Sequence, residues 1–204
     1  WERRDLDLPG FVAVLDADFR EPEELRQRLV HRMPKYGNDD DAADDLMLRT
    51  FRFLFAAIDG RPDARGGAYR LEMLPTTCHV YFGEVCAASA DGRHAGQPLS
   101  EGISPVQGAD RSGPTAVLRS AAKMDHVKTG GTLLNLKFTP QLLEGEGGID
   151  HLHSLVRAYF KLDGHHLQFN VVSAAALRRA QADPEAHRGL IVRVAGYSDY
   201  FCDL

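Results

Sequence analysis

Between Thr132 and Val194 the spacing of apolar residues switches repeatedly between two periods, and this constrains the fold more than any other feature of the sequence. Thr132 to Phe138 reads as a strand. Ile149, Leu152, Val156, Tyr159 and Phe160 then fall on one face of a helix, and His166 to Val172 returns to strand. Ala174 to Ala182 predicts a second helix and Leu190 to Val194 a third strand. Strands that alternate with helices, over connections long enough for parallel crossovers, imply an α/β architecture with a sheet or barrel. Asn135 with Lys137, and Gln168 with Asn170, set polar groups on one strand face opposite a mainly apolar one. His79 and Tyr81 do the same in a strand predicted over Thr77 to Phe82, alternating with Cys78, Val80 and Phe82. Such polar faces line the chamber of a barrel or the solvated side of an open sheet.

The first sixty or so residues carry helical patterns instead. Glu21-Pro22-Glu23-Glu24 places acids and an early proline in a first turn, Leu25, Leu29 and Met33 follow as a stripe, and Pro34 stops it. A second stripe, Met47, Phe51, Leu54, Phe55 and Ile58, follows the acidic entry at Asn38 to Asp41 and ends at Gly60 and Pro62. The acids from Asp39 to Asp45 read as a solvated helix entry, since they lack the glycine and terminal glutamate of a calcium loop. Gly83 to Gly113 is rich in Gly, Ser, Asp and Pro, with a turn signal at Asp91-Gly92, and a loop this long is functional or disordered. Pro114 to Lys123 predicts a short helix.

With 204 residues, 44% of them hydrophobic, the chain can bury one sizeable core. Its 24 basic and 29 acidic side chains form no basic block to track a phosphate backbone, which argues against nucleic acid as a partner. No apolar run reaches the length that spans a bilayer. Cys78, Cys86 and Cys202 are odd in number and lack CxxC spacing, so they read as packed thiols of a reducing, cytoplasmic compartment. The start, Trp-Glu-Arg-Arg, without an initiating Met, leads to the expectation of a chain that begins partway through a longer polypeptide.

The end of the chain runs Leu190-Ile191-Val192-Arg193-Val194-Ala195-Gly196-Tyr197-Ser198-Asp199-Tyr200-Phe201, a hydrophobic strand entering a glycine and an aromatic-rich turn. This segment resembles the glycyl radical loop of the pyruvate formate-lyase superfamily, whose signature is Arg-Val, a small residue, then Gly-Tyr. Other landmarks are similar in the same order: Gly102-Ile103-Ser104-Pro105 with Gly113-Pro114-Thr115-Ala116, Lys123-Met124-Asp125-His126, Gly131 to Asn135 with Lys137-Phe138, and His166 through Asn170. A hydrogen removed from a glycine Cα leaves a radical shared between the flanking amide nitrogen and carbonyl, and only glycine lets that centre flatten without a side-chain clash. The plainer role for Gly196 is a turn after a strand.

The resemblance implies that this is the C-terminal part of a ten-stranded α/β barrel of the pyruvate formate-lyase type. It implies a helical segment and first barrel strand over 1–75 and a glycine radical domain over 76–204, truncated at its C-terminus. Gly196 would store the radical, installed by an activase that uses S-adenosylmethionine and a 4Fe-4S cluster; no cofactor is expected to be bound. The catalytic cysteine loop would lie upstream, in the remainder of the polypeptide, and the chain alone would be inactive. The resemblance also implies a homodimer, activated by that radical-SAM activase and acting on a small-molecule substrate without membrane or nucleic-acid partners, in the cytoplasm or a bacterial microcompartment within it. Arg70-Leu71-Glu72-Met73-Leu74-Pro75-Thr76-Thr77-Cys78-His79 and Gly102 to Arg111 look most like the eliminating lyases and dehydratases, nearest the isethionate sulfite-lyases. Arg70 would then hold the substrate's anionic group, for which a guanidinium fork is suited; the plainer role is a surface arginine. Glycerol, diol and hydroxyproline dehydratases, formate acetyltransferase-like enzymes and a non-catalytic spare-part radical carrier are the alternatives.

Other groupings carry less. His151 and His153 stand two apart on a predicted helix and do not share a face. His165-His166 follows Gly164 at a strand start, where packing or capping suits it better than a metal. Lys128-Thr129-Gly130-Gly131-Thr132 lacks the residue order of a P-loop, and there is no serine nucleophile elbow.

Overall fold

A computed structural model of the chain describes residues 6–203 except 22, 75, 76, 146, 195 and 196. Pro22 and Gly196, both singled out above, therefore lie outside the described residues. In chain order the elements are α1 (Leu8–Asp16), α2 (Glu23–Arg32), α3 (Asp41–Ile58), α4 (Cys78–Val85), α5 (Pro114–Ala122), β1 (Leu133–Phe138), α6 (Gly148–Lys161), β2 (His166–Val171), α7 (Ala174–Ala182), β3 (Ile191–Arg193) and β4 (Ser198–Tyr200). They fall into two compact units, Trp1–Pro34 with Cys78–Leu99, and Lys35–Thr77 with Ser100–Leu204.

In the first unit, α1 is capped by Asp7, whose carboxylate accepts the Gly10 N–H at 2.8 Å. The chain then turns through Asp18 and Phe19, both at positive φ, and Phe19 is buried with its ring edge-on to His94. Burial of a phenylalanine offsets the left-handed backbone, since each is an effect of about 1–3 kcal/mol. Helix α2 has Glu23 and Glu24 in its first turn and His31 and Arg32 in its last, as the helix dipole favours.

The strand predicted over Thr77 to Phe82 is a correction: these residues enter α4, and His79 with Tyr81 forms no strand face. In this segment Cys78, His79, Val80 and Cys86 are half-buried, Gly83 is buried, and Tyr81 and Phe82 are both exposed, which is not the alternation of a strand. Gly83 is the one buried residue of α4, and a Cβ there would fall 2.4 Å from the Gln97 carbonyl oxygen. A glycine adds nothing to an apolar pattern, so the helical face was masked by the alternation of its neighbours.

Beyond α4 the predicted long loop is ordered around a buried arginine. Arg93 donates to the carbonyls of His94 (3.0 Å), Gln97 (2.8 Å) and Ala87, and to the Ser89 hydroxyl at 3.2 Å. Loop carbonyls with no ladder partner thus find donors on one guanidinium.

In the second unit, Asp40 caps α3 by accepting the Ala42 N–H at 3.0 Å. Strands β1 and β2 are parallel, with α6 as their crossover, as the alternation of periods predicts. Leu134, Leu136 and Phe138 turn one face of β1 onto a core of Phe51, Val117, Leu118, Ala121, Met124 and Tyr159. Phe138 stacks on Phe169 from β2 at 5.3 Å. A fully buried residue such as Leu134 contributes roughly 1.5–3 kcal/mol.

The acidic run before and within α3 is not simply solvated. Asp44 has no exposed surface and shares one oxygen, Oδ2, between Ser120 Oγ (2.9 Å) and Lys123 Nζ (2.6 Å). Lys123 also pairs with Asp39 at 3.2 Å and Asp41 at 2.7 Å, so these acids fasten α3 to α5. Burial opposes the charge on Lys123, but its hydrogen bonds to Asp41, Asp44 and Asp39 outweigh this and raise its pKa.

Candidate functional site

The polar face of the parallel pair is built by register. Asn135 lies beside Gln168 and Lys137 beside Asn170, so the two polar stripes expected from sequence form one surface. Leu133 and His166 are level at its start, where His166 Nδ1 meets the Thr132 carbonyl at 2.6 Å.

The segment Glu101 to Gln107 closes over the β1 side of this surface. Gly102 has φ +55, and a Cβ there would fall 2.5 Å from the Leu133 carbonyl oxygen, so glycine is needed for both conformation and approach. That approach lets the Ile103 N–H donate to Leu133 O at 3.1 Å, and the Ser104 hydroxyl accept the Asn135 N–H at 2.9 Å. Tyr36 donates its hydroxyl to the Ile103 carbonyl at 2.8 Å, and burial raises its pKa further from titration. Glu101 accepts from the Asn135 amide, and Gln107 accepts from Lys137 Nζ at 2.9 Å. Asn135 Oδ1 is buried without a hydrogen-bond partner on the same side chain. Just before β1, Met73 bridges to Thr132 in parallel, so the start of the β1 edge facing away from β2 is covered.

The β2 side carries the end of the chain. Asn170 donates its side-chain amide to the Arg193 carbonyl at 2.9 Å, linking β2 to β3. Strands β3 and β4 form an antiparallel pair with Arg193 opposite Ser198, and the Val194 N–H donates to Tyr197 O at 2.9 Å. The Arg193 guanidinium reaches Ser198 Oγ at 3.2 Å across the pair. After β4, the Cys202 thiol can donate to the carbonyls of His187 (3.5 Å) and Pro184 (3.6 Å). The segment read as an aromatic turn thus includes a short returning strand.

Behind the sheet, His126 is buried between α5 and β1. Its Nε2–H donates to the Ala121 carbonyl at 3.0 Å, which leaves Nδ1 to accept the Thr132 hydroxyl at 2.8 Å. Burial lowers its pKa, only partly offset by the bond to Ala121, so the ring is held neutral. Arg70 stands apart from this surface's hydrogen bonds; its Nη1 pairs with Asp59 Oδ2 at 3.1 Å, and its side chain is 69% exposed. Asp59 Oδ1 is buried without a partner.

The Glycine radical family model matches residues 99–202, which span the whole of this polar surface and the β3–β4 pair. The chain belongs to the glycine radical family. Residues 1–83 match the Pyruvate formate lyase-like model. The glycine radical chain is 51% identical, over its full length, to the trans-4-hydroxy-L-proline dehydratase of Clostridioides difficile, and covers 26% of that protein. It is 40% identical to the isethionate sulfite-lyase of Bilophila wadsworthia, again over all of this chain and 25% of the relative. The solved structure of the C. difficile hydroxyproline dehydratase with bound substrate superposes with a TM-score of 0.96 over all of this chain and 26% of that one. A glycerol-bound glycerol dehydratase from Clostridium butyricum, 40% identical, superposes at 0.94 over all of this chain and 26% of that one.

The glycine radical chain therefore spans about a quarter of the length of the relatives it matches. The fold is the C-terminal part of a pyruvate formate-lyase-type α/β barrel, as the resemblance implied. Glu101, Ser104 and Gln107 were not identified from sequence as partners of β1. Their signal is slight, because three polar residues in a loop have no period, and only the glycines around them marked a close approach.

Proposed function

We propose that the polypeptide containing this chain is a glycyl radical lyase that cleaves a carbon–heteroatom bond, with Gly196 as the stored radical. An activase using S-adenosylmethionine and an iron–sulfur cluster removes the Gly196 hydrogen. A cysteine in the remainder of the polypeptide then becomes the thiyl that attacks a small-molecule substrate. The reading includes a cytoplasmic homodimer, with a bacterial microcompartment as one setting, and the division of the chain near residue 76 described above.

The observation that carries this reading is identity of 51% over all 204 residues to a dehydratase, beside 40% to a sulfite-lyase. Both relatives bear names of eliminating enzymes, and the difference puts trans-4-hydroxy-L-proline first and isethionate second among substrates to try. Both substrates carry an anionic group, and Arg70 is our candidate to hold it. Asp59 engages one nitrogen of that guanidinium, which has further N–H donors for a carboxylate or sulfonate.

The test is anaerobic electron paramagnetic resonance of the full-length polypeptide with its activase, comparing wild type with Gly196→Ala. A doublet near the free-electron position in wild type and its loss in the variant is the expected result. Turnover of hydroxyproline, isethionate, glycerol and 1,2-propanediol by the activated protein then identifies the substrate. No doublet in wild type, with an activase shown to be competent on another substrate protein, overturns the reading.

A further inference from the structure

We infer, on the reading above that the chain is part of a longer polypeptide, that the cleft between α3 and residues 123–128 receives another segment of that polypeptide. The segment bears a carboxylate beside an apolar side chain, and Arg52 is the residue that recognises it.

Leu48, Phe51, Arg52 and Phe55 recur at steps of three and one-to-four along α3 and so share one face of the helix. With the segment from Lys123 to Lys128 opposite, they line a cleft of about 260 Å³. Its floor is apolar. Phe51 and Phe55 have ring centres 6.1 Å apart, and Lys128 Nζ lies 5.9 Å from the centre of the Phe55 ring.

The rim carries three cations whose charges are unequally met. Lys123 is held by Asp39, Asp41 and Asp44. Lys128 pairs with Asp125 at 3.0 Å. Arg52, exposed on the rim, makes no hydrogen bond or ion pair with the described residues. Its guanidinium presents N–H donors in a planar fork that matches a carboxylate. The unmet charge therefore selects an anion, and the two phenylalanines select an apolar group next to it.

Size decides the kind of partner. The cleft is smaller than the roughly 300–1,000 Å³ of small-molecule sites, so it suits side chains better than a free ligand. A separate protein needs roughly 1,200 Å² of buried surface or more to stay bound, which seven lining residues do not supply by themselves. A segment joined covalently escapes that requirement, because its effective concentration is set by the linkage. The relatives are about four times as long as this chain, so most of such a polypeptide lies outside it.

The experiment uses the full-length polypeptide and needs no activation. A water-soluble carbodiimide joins a lysine amine to a carboxylate in contact with it, and mass spectrometry identifies the linked peptides. The expected product joins Lys128 to an aspartate or glutamate outside this chain, in the single-copy band of a denaturing gel. The link from Lys128 to Asp125 shows that the reagent reaches the cleft. Coupling to Asp125 alone, or only to a second copy, overturns the inference. Arg52→Gln is expected to lower the yield of the outside link about tenfold, the factor for a hydrogen bond to a charged group. An unchanged yield removes Arg52 from the contact. If no link forms, or Arg52→Gln does not fold, phenylglyoxal modification of wild type decides. Arg52 reacting as fast in the folded as in the denatured protein overturns the contact, and slower reaction in the folded protein supports it. A doublet in activated wild type without the outside link overturns this contact and leaves the radical reading standing. The link without a doublet, given a competent activase, does the reverse.

Discussion

Gly164 lies against the face of the Tyr159 ring: a Cβ at position 164 would fall 2.3 Å from Cζ and 2.4 Å from Cε1. Tyr159 has no exposed surface and belongs to the core that supports β1, so the ring cannot retreat into solvent. Gly164→Ala is expected to cost about 1–3 kcal/mol, the usual penalty for overpacking. The Tyr159 hydroxyl is buried without a partner, and Tyr159→Phe should be neutral or stabilising by up to about 1 kcal/mol. Denaturant melts of the full-length variants check both signs.

Lys123 and Asp44 make a second, sharper comparison. Lys123→Met leaves the buried Asp44 carboxylate with only the Ser120 hydroxyl, and should cost about 3 kcal/mol, the low end for breaking a buried pair because Lys123 is partly exposed. Adding Asp44→Leu should recover much of that loss. A melt in which the double variant is no more stable than Lys123→Met would show that the pair does not act through charge burial.

Acid should loosen the same junction. Lys123 above all holds the Asp39 carboxyl below its ordinary pKa, against some opposing burial. A depressed carboxyl contributes its full stability above the unfolded value of about 3.9 and loses it as pH falls through the lower folded value. Melts from pH 5 downward, an interval of about two units, should show a shallower decline in Asp39→Asn than in wild type.

His126 has its window at milder pH. Its folded pKa is lowered by burial, so below the unfolded value of about 6.5 the unfolded chain takes up the proton first. Stability should therefore fall as pH drops through that value and level off below the folded pKa. His126→Gln retains a donor and an acceptor but cannot gain the charge, and its melting temperature should lose this part of the pH dependence.

Arg70 separates binding from stability. Its guanidinium is mostly exposed although Asp59 is not, and lysine keeps the charge beside that carboxylate, so Arg70→Lys should change stability by no more than about 1 kcal/mol. If Arg70 holds the substrate anion, the KM of the activated protein should rise about tenfold with a smaller change in kcat. An unchanged KM for hydroxyproline and isethionate would remove Arg70 from the site.

The parts of this fold that were legible in sequence are those in which burial follows a period. The two stripes Asn135–Lys137 and Gln168–Asn170 were readable because polar and apolar residues alternate along each strand, and parallel pairing then placed them level. Helix α4 was misread because its most buried position is a glycine, and Asp44 because a fully buried acid looks, in sequence, like its solvated neighbours. The loop partners of β1 were illegible for a related reason. Glu101, Ser104 and Gln107 find their places through the close approach of Gly102 to Leu133, a contact across thirty-one positions that no local pattern records. Gly196, proposed above as the radical position, was read from a motif and not from a period.

The first unit also has a history in time. Phe19 lies edge-on to His94, and Asp18 Oδ1 accepts the Ala95 N–H at 2.8 Å, 77 positions further along the chain. During synthesis at about 5–20 residues per second, α1 and α2 therefore wait roughly 4–15 s before the residues that cover Phe19 have even been made. Through that interval the left-handed turn at Asp18 and Phe19 has no covered ring to hold it, so α1 and α2 complete their packing only after residues 35–77, which belong to the second unit, have been made.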